Sequence, residues 1–183
     1  MNYSSCDYAQ KLSHQLAQTN WDDVDRLGDL LEGIRSERRQ LFICGNGGSA
    51  GNAIHLANDL LYGASLGGKG GFKVEALSAN SSVITCLAND VGYDYIFSQQ
   101  LSVKAQAGDM LIVLSGSGNS ANIVNALQTG NDLEMKTVAI LGYSGGQCRN
   151  IAQFVIHFPV EDMQMSEDLQ LIVGHMCMQR LCA

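Results

Sequence analysis

Proline is nearly absent from this 183-residue chain, which carries Pro159 alone against twenty glycines. Helices and strands therefore run with little interruption, and the turns fall to glycine, as in an α/β chain with many tight strand-to-helix connections. Basic residues are also scarce. Eleven Lys and Arg stand against eighteen Asp and Glu, for a formal net charge of −7 and an isoelectric point near 4.9. This balance argues against a broad nucleic-acid surface. An anionic ligand must instead be held by local amides, hydroxyls and a few side chains, and small phosphorylated metabolites fit that description. No stretch is long and apolar enough to span a bilayer, and the start, MNYSSCDYAQ, has no basic segment leading into an apolar core. The expected location is the cytoplasm, with no membrane partner. Six cysteines are scattered without CxxC spacing, so reduced and mostly buried thiols are expected in place of disulfides or a thiolate zinc site.

With 46% hydrophobic residues the chain can build one sizeable core, and no domain boundary is visible within 1–183. Residues 1–39 read as two helices, the second restarting at the acids Asp22 and Asp23. Residues 40–183 read as an α/β core. Strands are expected over 41–44, 72–77, 110–114, 136–141 and 154–158, and helices from Ser49, over 81–88, over 93–105, after Ser120, and over 166–182 with Ser166 as cap. Asn89-Asp90-Val91-Gly92 reads as a turn. The alternation predicts a doubly wound, mostly parallel five-stranded sheet flanked by helices, with ligand turns at the carboxyl ends of its strands.

The most informative stretch is LFICGNGGSAGNAIHLAND, residues 41–59. An apolar run breaks at Gly45-Asn46-Gly47-Gly48, and a helical pattern follows from Ser49. Glycines let a ligand approach the main chain, and the amides opening a helix favour an anion. His55 and Asp59 are one helical turn apart and share a face. The same residues also fit an ordinary α/β turn followed by a surface His–Asp pair. A second turn, Ser115-Gly116-Ser117-Gly118-Asn119-Ser120, again ends a strand and opens a helix, now with three hydroxyls, and reads as an anion nest. In the last helix, SEDLQLIVGHMCMQRLC, His175 lies among apolar residues and on the residues alone reads as a satisfied core histidine.

GNGGSAGNAIHLAND, SGSGNSANI, ANDVGYDYIFSQQL and a final helix with a central histidine together resemble the sugar isomerase (SIS) domain family, and within it the phosphoheptose isomerases. The similarity runs over nearly the whole chain. It implies a single SIS domain and an aldose–ketose isomerase acting on sedoheptulose 7-phosphate through an enediol(ate), in heptose supply for lipopolysaccharide or capsule. It implies phosphate binding by Ser49, Ser115, Ser117 and Ser120, with Gly47, Gly48 and Gly116 in the turns. It also implies that Asn46 lines the sugar and that Asn89 and Asp90 lie near its hydroxyls. It further implies a homotetramer with sites at subunit interfaces, the leading helices serving assembly. No nucleotide cofactor is expected.

The family's metal-binding and catalytic quartet falls on His55, Asp59, Glu167 and His175, with a possible zinc ion. Two positions depart from the family pattern. Asp59 replaces a glutamate, and Glu167 replaces a glutamine and adds a charge. Asp59 or Glu167 would move the carbon proton and His175 the oxygen protons. These departures also open an alternative, a non-catalytic sugar-phosphate sensor or adaptor of the initiator-associating type, since altered catalytic positions can turn an enzyme into a sensor.

Overall fold

The computed structural model describes residues 4–183. Two helices lead, α1 (Ser5–Gln18) and α2 (Asp22–Ser36). The core follows as β1 (Gln40–Gly45), α3 (Gly47–Leu61), β2 (Lys73–Ala76), α4 (Ser81–Asp90), α5 (Ser98–Lys104), β3 (Met110–Ser115), α6 (Ala121–Asp132), β4 (Lys136–Leu141), α7 (Cys148–Ile151), β5 (Phe154–His157) and α8 (Met163–Cys182). All five strands are parallel, in the order β2-β1-β3-β4-β5.

The strands read as unbroken apolar runs because both faces of the sheet are covered. Leu41 and Ile43 of β1, with Met110, Ile112 and Leu114 of β3, pack beneath α2, α3 and α8. Phe42 and Cys44, with Leu111 and Val113, face the opposite way onto Phe97, Leu101, Ile123 and Leu127. After β1 the chain goes to one side to make β2, then crosses to the other for β3. That reversal between β1 and β3 opens a crevice at their carboxyl ends, where ligands of doubly wound sheets bind. The two glycine-serine turns leave from these two strands.

Four boundaries differ from expectation. The helix after β1 starts at Gly47, with Asn46 as its extended cap, so Ser49 is a buried first-turn residue. Asn89 and Asp90 complete α4, and the turn comes at Val91 and Gly92. The expected helix over 93–105 breaks into a short 3-10 turn, Tyr93–Tyr95, and α5, the bend letting Ile96 and Phe97 enter the core. The last helix begins at Met163, capped by the Asp162 side chain, which accepts from the Met165 amide at 3.1 Å. Ser166 lies inside this helix, buried, with its hydroxyl donating to the Asp162 carbonyl at 2.7 Å. Asp162 and Ser166 are both cap-forming types, and only packing decides between them.

All six cysteines are free, three of them buried. Burial raises the thiol pKa of Cys44 well above the ordinary range, that of Cys177 to about 12 and that of Cys148 to about 11. The native state therefore keeps these protons where the unfolded chain loses them, above about pH 8.5. Stability that is complete below that pH should fall as pH rises, by roughly 1.4 kcal/mol per pH unit for each of Cys44 and Cys177. Denaturant titrations of wild type and Cys177→Ala at pH 8 and pH 10 check this, the variant showing the shallower loss.

Candidate functional site

Both glycine-serine turns line one cavity of about 80 Å³. Its walls include Asn46 and Ser49 from the first turn, Ser115, Gly116, Ser117 and Ser120 from the second, and Met163 and Glu167 from α8. Ser120 caps α6 and Asn46 caps α3, and neither side chain bonds its own helix's amides. Two helix N-termini thus present first-turn amides toward one place, an arrangement that favours an anion. The second turn is held by the Gly118 amide donating to Ser115 Oγ at 3.0 Å. Gly118 sits at φ +67°, and a Cβ there would come within 2.0 Å of the Gly145 carbonyl oxygen, so this position requires glycine.

Beneath the cavity, the Asn46 and Asn122 side-chain amides bond each other twice, at 2.8 and 2.9 Å, and the Tyr93 hydroxyl donates to Asn46 Oδ1 at 2.9 Å. Asn122 is buried. This network ties the first turn to α6 and fixes the Asn46 amide. Neither Asn122 nor Tyr93 was singled out from the sequence. The signal lay in the reappearance of Asn two residues after the Ser120 cap, which is only interpretable once the two turns are known to meet.

Helices α3 and α8 run parallel and close together. Asn52 donates to the Glu167 carbonyl at 2.9 Å and to Gln170 Oε1 at 3.0 Å, and a Cβ on Gly174 would reach within 2.2 Å of Leu56. Two turns along from the cavity this packing brings His55 and His175 together, their Nε2 atoms 2.9 Å apart and their rings edge-to-face. Asp59 Oδ2 lies 3.3 Å from His55 Nε2 and 3.6 Å from His175 Nε2. His175 is half exposed, with 51% of its side chain accessible, so the core-histidine reading is corrected. The three donors lie within 4.8 Å of one another, close enough to hold one metal ion. Two imidazoles and a carboxylate are a donor set that suits zinc with an open coordination position.

Glu167 stands apart from this trio. Its carboxylate lies in the serine cavity, pressed against Gly48, where a Cβ would come within 2.3 Å of both carboxylate oxygens. Eight residues separate it from His175, roughly 12 Å along the helix. Of the four residues expected to gather around a metal, three meet here, and Glu167 lines the serine cavity instead. Gly47, at φ +53°, opens the first turn. Asn89 and Asp90 do not line the cavity. Asp90 accepts from Asn89 at 2.8 Å and from the Cys86 thiol at 3.4 Å, a bond that raises the Cys86 pKa. Asp168, on the same face as His175, is taken up by the Tyr8 hydroxyl at 2.5 Å and pins α1 to α8.

Comparison with known proteins agrees with this geometry. Residues 5–142 match the SIS domain. The phosphoheptose isomerase of Akkermansia muciniphila is 33% identical over 154 residues, 84% of this chain and 81% of that protein. That of Mycobacterium tuberculosis is 39% identical over 150 residues, covering 81% and 76%. The structure of phosphoheptose isomerase GmhA from Neisseria gonorrhoeae superposes with a TM-score of 0.88 over 97% of this chain and 95% of that one, at 24% identity, a likeness of fold.

A carboxylate inside an anion cavity opposes a phosphate. Glu167→Gln keeps the shape and removes the charge, and should tighten binding of inorganic phosphate by about tenfold. Calorimetric titration of wild type and variant measures the ratio. Equal affinities would mean that Glu167 does not face the bound anion.

Proposed function

Because the chain belongs to the SIS domain family, we propose that it is a sugar-phosphate aldose–ketose isomerase. Its relatives are named phosphoheptose isomerases, and its own substrate pair would be sedoheptulose 7-phosphate and D-glycero-D-manno-heptose 7-phosphate. One observation carries this reading. The serine cavity and the His55–Asp59–His175 trio sit on the same parallel helix pair, along which one extended phosphosugar would lie.

The phosphoryl group would be held by Ser49, Ser115, Ser117, Ser120 and the free amides of α3 and α6, with Asn46 oriented toward the sugar by Asn122 and Tyr93. At the other end, Asp59 is the better-placed base. Its Oδ2 faces the two imidazoles, leaving Oδ1, which among the described residues accepts only from the Asn58 amide, at 3.5 Å. Oδ1 would take the proton from C2 of the aldose and return it to C1 of the ketose, leaving an enediol(ate) between the two transfers. His175, whose imidazole can both take and give a proton, would carry the proton between the two oxygens. The donors also fit zinc, which His55, Asp59 and His175 would hold and which would polarise the substrate carbonyl; with His175 holding the metal, that polarisation would take the place of the proton transfer by its imidazole. A non-catalytic adaptor is the less favoured reading, because an adaptor has no need of this convergent trio.

Several finer points belong to the same proposal. Ile54, Leu61, Tyr62, Leu66 and Met176 are exposed on or beside the helices that carry the trio, and α1 buries none of its residues. A homotetramer in which a neighbouring subunit covers these residues and completes the site would account for both. The domain is read as a helical assembly segment over 1–39 on a sugar-phosphate core over 40–183. Three exposed free thiols suit a reducing compartment such as the cytoplasm. The product would feed heptose-containing lipopolysaccharide or capsule.

Incubation with sedoheptulose 7-phosphate in deuterated water should place solvent deuterium in the product. Its absence, with and without added zinc, would contradict isomerase chemistry. Ser117→Ala should raise KM by about tenfold while leaving kcat within about twofold, as expected for a lost anchoring bond to an anion. Steady-state kinetics in both directions check that split.

A further inference from the structure

At the opposite end of the sheet, the amino ends of β1, β2 and β3 border a second cleft of about 300 Å³, continuous in its lining residues with a lobe of about 210 Å³. Arg38, Arg39 and Lys73 line both parts, Lys104 the first and Arg35 the second. Five of the eleven Lys and Arg of an acidic chain therefore meet at one place. The end of α2 favours cations on its own account, which suits Arg35, Arg38 and Arg39. It does not explain Lys73 on β2 or Lys104 on α5.

The two carboxylates of the cleft are already engaged. Buried Asp109 accepts from the Gln40 and Gln106 amides, both at 2.9 Å, and Glu75 pairs with Lys104 at 2.5 Å. Among the described residues, no acid pairs with Arg38 or Lys73, and Arg39 lies 3.9 Å from Glu37 while its Nη1 donates to the Ala107 carbonyl at 3.2 Å. Arg35 is buried and already engaged, its guanidinium pairing with Glu32 and donating to the Leu181 carbonyl at 3.3 Å, so that only its Nε lacks a partner among the described residues. Register brings these groups together, since Gln40, next to Arg39, pairs directly with Lys73 across β1 and β2. Arg38 also occupies a position usually given to glycine. It follows the helix cap with φ +56°, its amide bonding the Arg35 carbonyl and that of Arg39 the Ile34 carbonyl. A side chain in this conformation carries a cost that glycine would avoid.

We propose that this cleft binds a small polyanion with at least two phosphoryl groups, separately from the sugar-phosphate site. Arg38, Arg39 and Lys73 offer three charges, more than a single phosphate neutralises. The aromatic rings nearby, Phe42 and Phe72, are buried, so recognition would rest on the phosphoryl groups and not on a stacked base.

Calorimetric titration of the full chain with inorganic pyrophosphate tests this. The wild type and Ser117→Ala should bind it with equal affinity in this cleft, more weakly as salt rises. Arg38→Gly combined with Lys73→Ala should weaken that binding at least tenfold. Arg38→Gly alone should raise the thermal midpoint by about 2–4 °C, which separates lost binding from lost folding. Orthophosphate should bind the cleft at least tenfold more weakly than pyrophosphate. The proposal is overturned if pyrophosphate does not bind at millimolar concentration, if the double variant binds it as wild type does, if Ser117→Ala abolishes it, or if orthophosphate binds equally well. None of these results depends on isomerase activity.

Discussion

The close parallel packing of α3 on α8 is the constraint from which the proposed chemistry follows. Gly174 lets the Leu56 side chain come against the backbone of α8, and Asn52 ties the two helices near their starts. With the axes fixed this way, residues at matching heights meet. Glu167 meets Gly48 at the anion cavity, and His175 meets His55 two turns on. A larger residue at position 174 would push the helices apart, and the trio, whose atoms need to agree to within about an ångström, would come undone first.

The chain as a whole carries a net charge of −7, against which the proposed phosphate site has to work. Two helix N-termini without side-chain caps converge there, and hydroxyls from both turns supplement them. Partial charges aimed from short range outweigh a diffuse net charge that salt screens. The carboxylate of Glu167 works against this arrangement. The Coulomb interaction between it and a phosphoryl group is the main electrostatic difference that this chain's own side chains introduce into the cavity.

Much of this was legible in the sequence because it depends on local chemistry. The strand cores emerged from apolar runs, and the two anion turns from glycines and serines between a strand and a helix. The pairing of His55 with Asp59 followed from a single helical turn. What was not legible depends on packing. Ser166 looked like a cap, but Asp162 holds that place while Ser166 lies against the turns after β3 and β4. His175 sits among apolar neighbours in sequence and yet points to solvent, since a helix's neighbours along the chain face different ways. Asn122 and Tyr93 gain meaning only when turns some seventy residues apart touch. Glu167 was grouped with the histidines by resemblance, whereas eight helical residues carry it away from them.

The two ends of the sheet divide the labour, with the carboxyl ends of the strands carrying the serine cavity and the amino ends the cationic cleft. The central claim is that one phosphosugar lies along α3 and α8, its phosphoryl group between the two turns and its C1–C2 end at the histidines. Crystals of the protein soaked with sedoheptulose 7-phosphate test it most directly. The account predicts phosphate density in contact with Ser49, Ser115, Ser117 and Ser120, and density for C1 and C2 beside Asp59 and His175. Phosphate density elsewhere, or a sugar running away from the His55–His175 pair, would contradict it.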